Sequence, residues 1–219
     1  MTVLATISAS FTVLADIARV LIDPRFQKSI LNYIHAFRRP RQSYENLLLQ
    51  FDLDISRRDG TRGELRREQR VRFLTSEAGV IRELAWGDGK QMTGYRSHGA
   101  TPVEHRREGM CRVVWLGLPE RPVAGQVATI HSRRTVVDAL TRSDEFLEAV
   151  VERPTRRLRM RVTFPADRPP IRVAAVSATH DGEQPRRLTL HPASRGRLWA
   201  SWTQTNPRPG TTYRIAWSW

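Results

Sequence analysis

Lysine and cysteine are nearly absent from this chain. Lys28 and Lys90 are the only lysines among 36 basic residues, and Cys111 is the only cysteine in 219 positions. A lone thiol excludes a disulfide framework and a multi-thiolate metal site, and it suits a reducing cytoplasm. Beside the apolar run Val113-Val114-Trp115-Leu116 it reads as a small buried hydrophobe. The Gly-x-Ser-x-Gly elbow, the P-loop and the dinucleotide glycine fingerprint are missing as well. The sequence therefore names no catalytic residue, no metal and no cofactor.

A basic leader and an uninterrupted apolar span are also lacking. Residues 2–22 are mostly apolar, but Met1-Thr2-Val3 supplies no basic side chain for a secretory signal. Asp16 and Arg19 interrupt the stretch where a spanning helix needs about 20 residues with few or no charges. The spacing Leu4, Ile7, Phe11, Leu14, Ala18, Leu21 instead predicts an amphipathic helix with a seam for a partner. Val13, Ile17 and Val20 widen its apolar face. Such a seam buries itself either on the rest of the chain or on another chain, a protein partner or a second copy. Asp23-Pro24 ends this helix, and a second helical segment over 26–37 runs into the turn Arg38-Arg39-Pro40-Arg41.

What the chain has in quantity is arginine. The formal net charge is +14. Codon usage in a GC-rich bacterial genome explains arginine in place of lysine. It does not explain the surplus charge, which predicts attraction to a polyanion or an acidic partner.

From Tyr44 the hydrophobic period changes to two. Leu47, Leu49, Phe51, Leu53 and Ile55 alternate with mostly polar residues, Gln50, Asp52 and Asp54 among them. Arg58-Asp59-Gly60 marks a turn, and Val71 and Phe73 open the next alternating segment. Strands are predicted near 80–86, 92–95, 112–118 and 127–137, with Gly87-Asp88-Gly89 as a hairpin turn. Ser143-Asp144-Glu145 reads equally as a helix cap or a loop. Beyond Arg153-Pro154, Leu158, Met160, Val162 and Phe164 face one way while Arg157, Arg159, Arg161 and Thr163 face the other. Short strands follow over 171–178, 187–190 and 198–202, and a last one carries Tyr213, Ile215, Trp217 and Trp219 on one face. The predicted fold class is mainly β: a helical segment over 1–40, a β-rich lobe over 41–152 and a second β lobe over 153–219, both sandwich-like.

Pro209-Gly210-Thr211-Thr212-Tyr213-Arg214-Ile215 resembles a fibronectin type III or related immunoglobulin-like domain. The resemblance covers at most Pro154 to Trp219. It implies a tyrosine corner, with the Tyr213 hydroxyl bonded to backbone upstream. The chain departs from the family by stopping at Trp219, one strand early, so either another segment completes the sheet or the topology differs.

Each candidate site has a plain alternative. Asp52 and Asp54 share a strand face, but two carboxylates make a poor cation site beside a solvated face. His98, Glu104 and His105 sit in a Gly- and Pro-containing loop without the second ligand pair that zinc sites show. Basic clusters occur at Arg57-Arg58, over 62–72, at Arg106-Arg107 and over 153–161. Alternation puts Arg157, Arg159 and Arg161 on one face, where a row of guanidinium groups can track phosphates or meet an acidic partner; the plain alternative is a solvated outer face. Stacking aromatics would favour single strands, yet Phe164, Trp202 and Tyr213 take positions expected to face the core. The sequence thus predicts, in order, a cytoplasmic, non-catalytic module acting through protein contacts, with self-association through Leu4, Ile7, Phe11, Leu14 and Leu21; a nucleic-acid-binding protein using the arginine row; and an enzyme of unrecognised type.

Overall fold

A computed structural model describes residues 43–76, 79–85, 91–108, 111–179 and 182–219. The helical segment expected over 1–40, its seam Leu4 to Leu21 and the Trp86-Gly87-Asp88-Gly89 turn lie outside those residues, as does the Cys111 side chain.

The chain is mainly β. In order, the described strands are β1 (Tyr44–Ile55), β2 (Arg62–Phe73), β3 (Val80–Ala85), β4 (Gln91–His98), β5 (Thr101–Glu108), β6 (Cys111–Gly117), β7 (Val127–Val137), β8 (Asp144–Val150), β9 (Arg157–Phe164), β10 (Arg172–Thr179), β11 (Gly182–Arg187), β12 (His191–Pro192), β13 (Leu198–Thr205) and β14 (Thr212–Ser218). They form three sheets: β12-β13-β9-β1-β2-β7-β4, β11-β10-β14-β8 and β3-β6-β5.

Several expectations need correction. The basic run over 62–72 is no separate cluster but the body of β2, and its alternation turns Arg67 inward and Arg66 outward. Ser143-Asp144-Glu145 leads into an extended strand, β8, neither a helix cap nor a loop. His98 ends β4, and Glu104 and His105 lie within β5, so only a short turn remains of the expected loop. The strand expected over 187–190 lies earlier, as β11. The largest sheet also passes through both expected lobes, because β9 pairs with β1 in parallel, Leu49 opposite Leu158 and Leu53 opposite Val162.

The large sheet has one inner face, and both smaller sheets contribute to the cores beneath it. Leu49, Phe51, Leu53, Leu158, Met160 and Val162 meet Leu147, Val173, Tyr213, Ile215 and Trp217 of the four-stranded sheet in one sandwich-like core. Val71, Phe73 and Ile130 meet Ile81, Val114 and Leu116 of the three-stranded sheet in a second. Burying each such side chain contributes about 1.5–3 kcal/mol. Gly60 makes the tight link after β1: its φ is +74°, and a Cβ there would stand 1.7 Å from the Leu140 carbonyl oxygen.

Between Leu65 of the first core and Val71 of the second, β2 turns Arg67 and Gln69 to the same inner face. A continuous run of hydrogen bonds satisfies them. Asn46 donates to Thr155 Oγ1 (3.0 Å), Gln69 to Asn46 Oδ1 (2.7 Å), and Arg67 to both Gln69 Oε1 (2.7 Å) and Glu83 Oε2 (2.9 Å). Ser132 (2.9 Å) and Tyr95 (3.0 Å) donate to the same Glu83 carboxylate. Burial, then the negative charge of Glu83, pushes the Tyr95 phenol well above its ordinary value. Burial likewise pulls the Arg134 guanidinium down, although it lies 3.9 Å from Glu83.

The tyrosine-corner contact is present: the Arg208 backbone N–H donates to the Tyr213 hydroxyl at 3.0 Å. β8, upstream of Pro154, pairs with β14 from Thr212–Val150 to Ser218–Asp144.

Candidate interaction face

Because both cores lie under one side of the large sheet, its other side is left to polar residues. On β9 this outer side carries Arg157, Arg159 and Arg161, all exposed, while Leu158, Met160 and Val162 are buried between them. Neither Arg157 nor Arg159 has an ion pair or side-chain hydrogen bond among the described residues. Arg161 places its guanidinium carbon 4.5 Å from the centre of the Trp199 ring. Trp199 also stacks on His191, with ring centres 4.5 Å apart and planes 26° from parallel.

Trp199 and His191 are the aromatics that the sequence reading missed on this face. The signal in the sequence was the alternation over 198–202, which sets Trp199 on the face opposite Leu198, Ala200 and Trp202; the register, Leu198 with Phe164 and Ala200 with Val162, makes that the arginine-bearing side. Phe164 and Tyr213 are buried in the core as expected, and Trp202 packs against it.

The strands beside β9 differ in character. On β13, Thr205, Thr203 and Ser201 stand opposite Arg157, Arg159 and Arg161 and are exposed. On β1, Gln50 and Asp52 stand opposite Arg159 and Arg161. Asp52 accepts a bond from Gln50 Nε2 at 2.7 Å, and Asp54 is held by the Arg197 guanidinium. Farther across, Glu64 on β2 pairs with Arg66 (2.6 Å) and Arg133 (2.7 Å). The face is therefore banded: basic on β9, acidic on β1, mixed on β2 and β7.

His98 and His131 are brought together, as register partners on β4 and β7, with Glu68 opposite His131 on β2. They line a shallow depression of about 340 Å³ with Asp52, Arg66, Arg96 and Arg133. Glu104 and His105 do not join them; the His105 ring packs edge-on against Tyr95, whose hydroxyl reaches the buried Glu83. Among the described residues no three His, Cys, Asp or Glu side chains are placed to hold one metal ion. Among the same residues no helix is long and apolar enough to cross a membrane.

A second charged feature is buried. Arg214 of β14 pairs with Glu148 of β8 and, at 3.3 Å, with Glu183 of β11. Burial pushes the Glu148 carboxyl above its ordinary value, against the pull of Arg214. Its Oε1 has no hydrogen-bond partner among the described residues.

No family model matches the chain, and no curated protein matches it. Solved structures do resemble it in fold. A protein named as a candidate protease from Parabacteroides distasonis aligns over 82% of this chain and 41% of its own, at 9% identity and a TM-score of 0.54. Legionella pneumophila aminopeptidase A, in complex with aspartic acid, aligns over 84% and 22% respectively, at 9% identity and a TM-score of 0.51. An M1 zinc metallopeptidase from Deinococcus radiodurans, bound to a Tyr-Ser-Ala substrate, aligns over 80% and 43%, at 12% identity and a TM-score of 0.50. This chain thus spans less than half the length of each, and at such identities the likeness is one of fold.

Proposed function

We propose that this chain is a non-catalytic binding module that meets a protein partner through the outer face of its large sheet, with Arg157, Arg159 and Arg161 as the contact row. The observation that carries this reading is the carboxylate band beside the row. A phosphate backbone tracking β9 would run next to Asp52, Cα partner of Arg161 on the adjacent strand, and like charges at that separation repel. A protein surface presents both signs and can meet both bands. The test is capture of partners by the full chain, compared with a variant in which Arg157, Arg159 and Arg161 are all changed to Gln. Loss of a specific partner supports the reading; an unchanged partner set removes these arginines from it.

Two further elements belong to this proposal. The seam Leu4, Ile7, Phe11, Leu14 and Leu21 serves self-association or docking, tested by oligomeric state and thermal stability with and without residues 1–37. The likeness to parts of peptidase chains supports a module that works beside a catalytic unit. The Tyr213 bond supports a fibronectin type III or immunoglobulin-like relation for the C-terminal strands.

One observation favours a second reading. Arg161 and His191 on Trp199 combine cation and aromatic surface, the pairing that single-stranded nucleic acid uses. Retention on single-stranded DNA that falls steeply with salt would move nucleic acid ahead of protein as the partner.

A further inference from the structure

Resting on the protein-partner reading, we infer that the segment recognised is an extended acidic peptide with carboxylates at alternate residues, lying along β9 and β13. The lane is built of rungs. Arg157 stands opposite Thr205, Arg159 opposite Thr203 and Arg161 opposite Ser201, so each rung joins a guanidinium to a hydroxyl on the next strand. All six residues are exposed. None of the six side chains makes an ion pair or hydrogen bond among the described residues, so every rung offers unspent donors to an oxyanion.

The spacing sets the ligand. Residues two apart on a strand lie about 6.8 Å apart, and an extended peptide repeats its own same-face side chains at that distance. A peptide reading Glu-x-Glu-x-Glu therefore puts one carboxylate on each rung in register. Consecutive glutamates would place every second one on the far side. Guanidinium is the group best matched to a carboxylate, two parallel N–H donors meeting two oxygens, and the hydroxyl supplies a further donor. Gln50 and Asp52 border the lane on the β1 side. Asp52, beside Arg161, limits how much negative charge the third rung accepts, from a carboxylate or a phosphodiester alike.

The experiment uses the full chain and three fluorescent probes: a peptide of alternating Glu and Ser, a peptide of the same composition with its glutamates consecutive, and an oligothymidylate. The alternating peptide is expected to bind about tenfold more tightly than the consecutive one, the worth of one charge-assisted hydrogen bond. Changing Ser201, Thr203 and Thr205 all to Ala should reduce that preference while leaving the fold intact by circular dichroism. Equal binding of the two peptides, an unaltered preference in the alanine variant, or tighter binding of the oligothymidylate overturns the inference. If the peptides fail while the Arg157, Arg159 and Arg161 to Gln variant still loses its protein partner, the inference falls and the protein-partner reading stands. If that variant loses no partner, both fall.

Discussion

Arg67 and Glu83 meet at 2.9 Å in the buried seam that separates the two apolar cores, with side chains only 8% and 2% exposed. They come from different sheets, so the pair ties the three-stranded sheet to the large one at a fixed register.

Removing the acid leaves Arg67 beside a second buried guanidinium, Arg134, with their shared carboxylate gone. Glu83→Gln is expected to cost about 3–5 kcal/mol, the penalty for breaking a buried pair, read as a lowered urea midpoint. A variant within about 0.5 kcal/mol of the parent would mean that Glu83 does not hold the seam.

Tyr213 is 4% exposed and its hydroxyl is hydrogen-bonded. Tyr213→Phe should lose about 1 kcal/mol and Tyr213→Ala about 3–5 kcal/mol in chemical denaturation. An alanine variant as stable as the parent would remove the corner from the account of this fold.

Glu148 gives stability a pH dependence of defined sign. Its folded-state value is raised above the ordinary 4.5, so the folded protein holds this proton more tightly than the unfolded chain. Its favourable contribution is full below the ordinary value and is lost as pH rises through the folded one. Glu148→Gln should remove that segment of the stability-versus-pH curve. A curve of the same slope in the variant would assign the proton elsewhere.

The arginine row separates the two partner classes. If nucleic acid binds there, changing Arg157, Arg159 and Arg161 to Gln should reduce the slope of log affinity against log salt by about 0.9 per contact for duplex, or about 0.7 for single strands. If the partner is protein, nucleic-acid binding should be weak in the parent and that slope should barely change.

The sequence made the outer face legible because period-two alternation alone decides which side of a strand a residue takes. Arg157, Arg159 and Arg161, the buried Leu158 to Phe164 set and the inward Tyr213 all follow from it. The same rule applied to 198–202 would have put Trp199 on the face away from Leu198 and Trp202, though not beside Arg161, since that needs the register with β9. The seam of Arg67, Gln69 and Glu83 was not legible. Charged residues seldom go inside unless paired, and the pairing here joins strands from different sheets, which no local pattern reports. The parallel meeting of β1 and β9 was hidden for a related reason: nothing in either segment encodes the other's address.

That meeting also sets a timetable. The partners Asn46 and Thr155 are 109 residues apart, so at ordinary synthesis rates β1 emerges from the ribosome roughly 5–20 s before β9 exists to cover its flank. For that interval Leu49, Phe51 and Leu53 form the unprotected border of a nascent hairpin. A ribosome stalled between them would hold out a chain with a sticky, half-built edge, and chaperone demand should peak in that window.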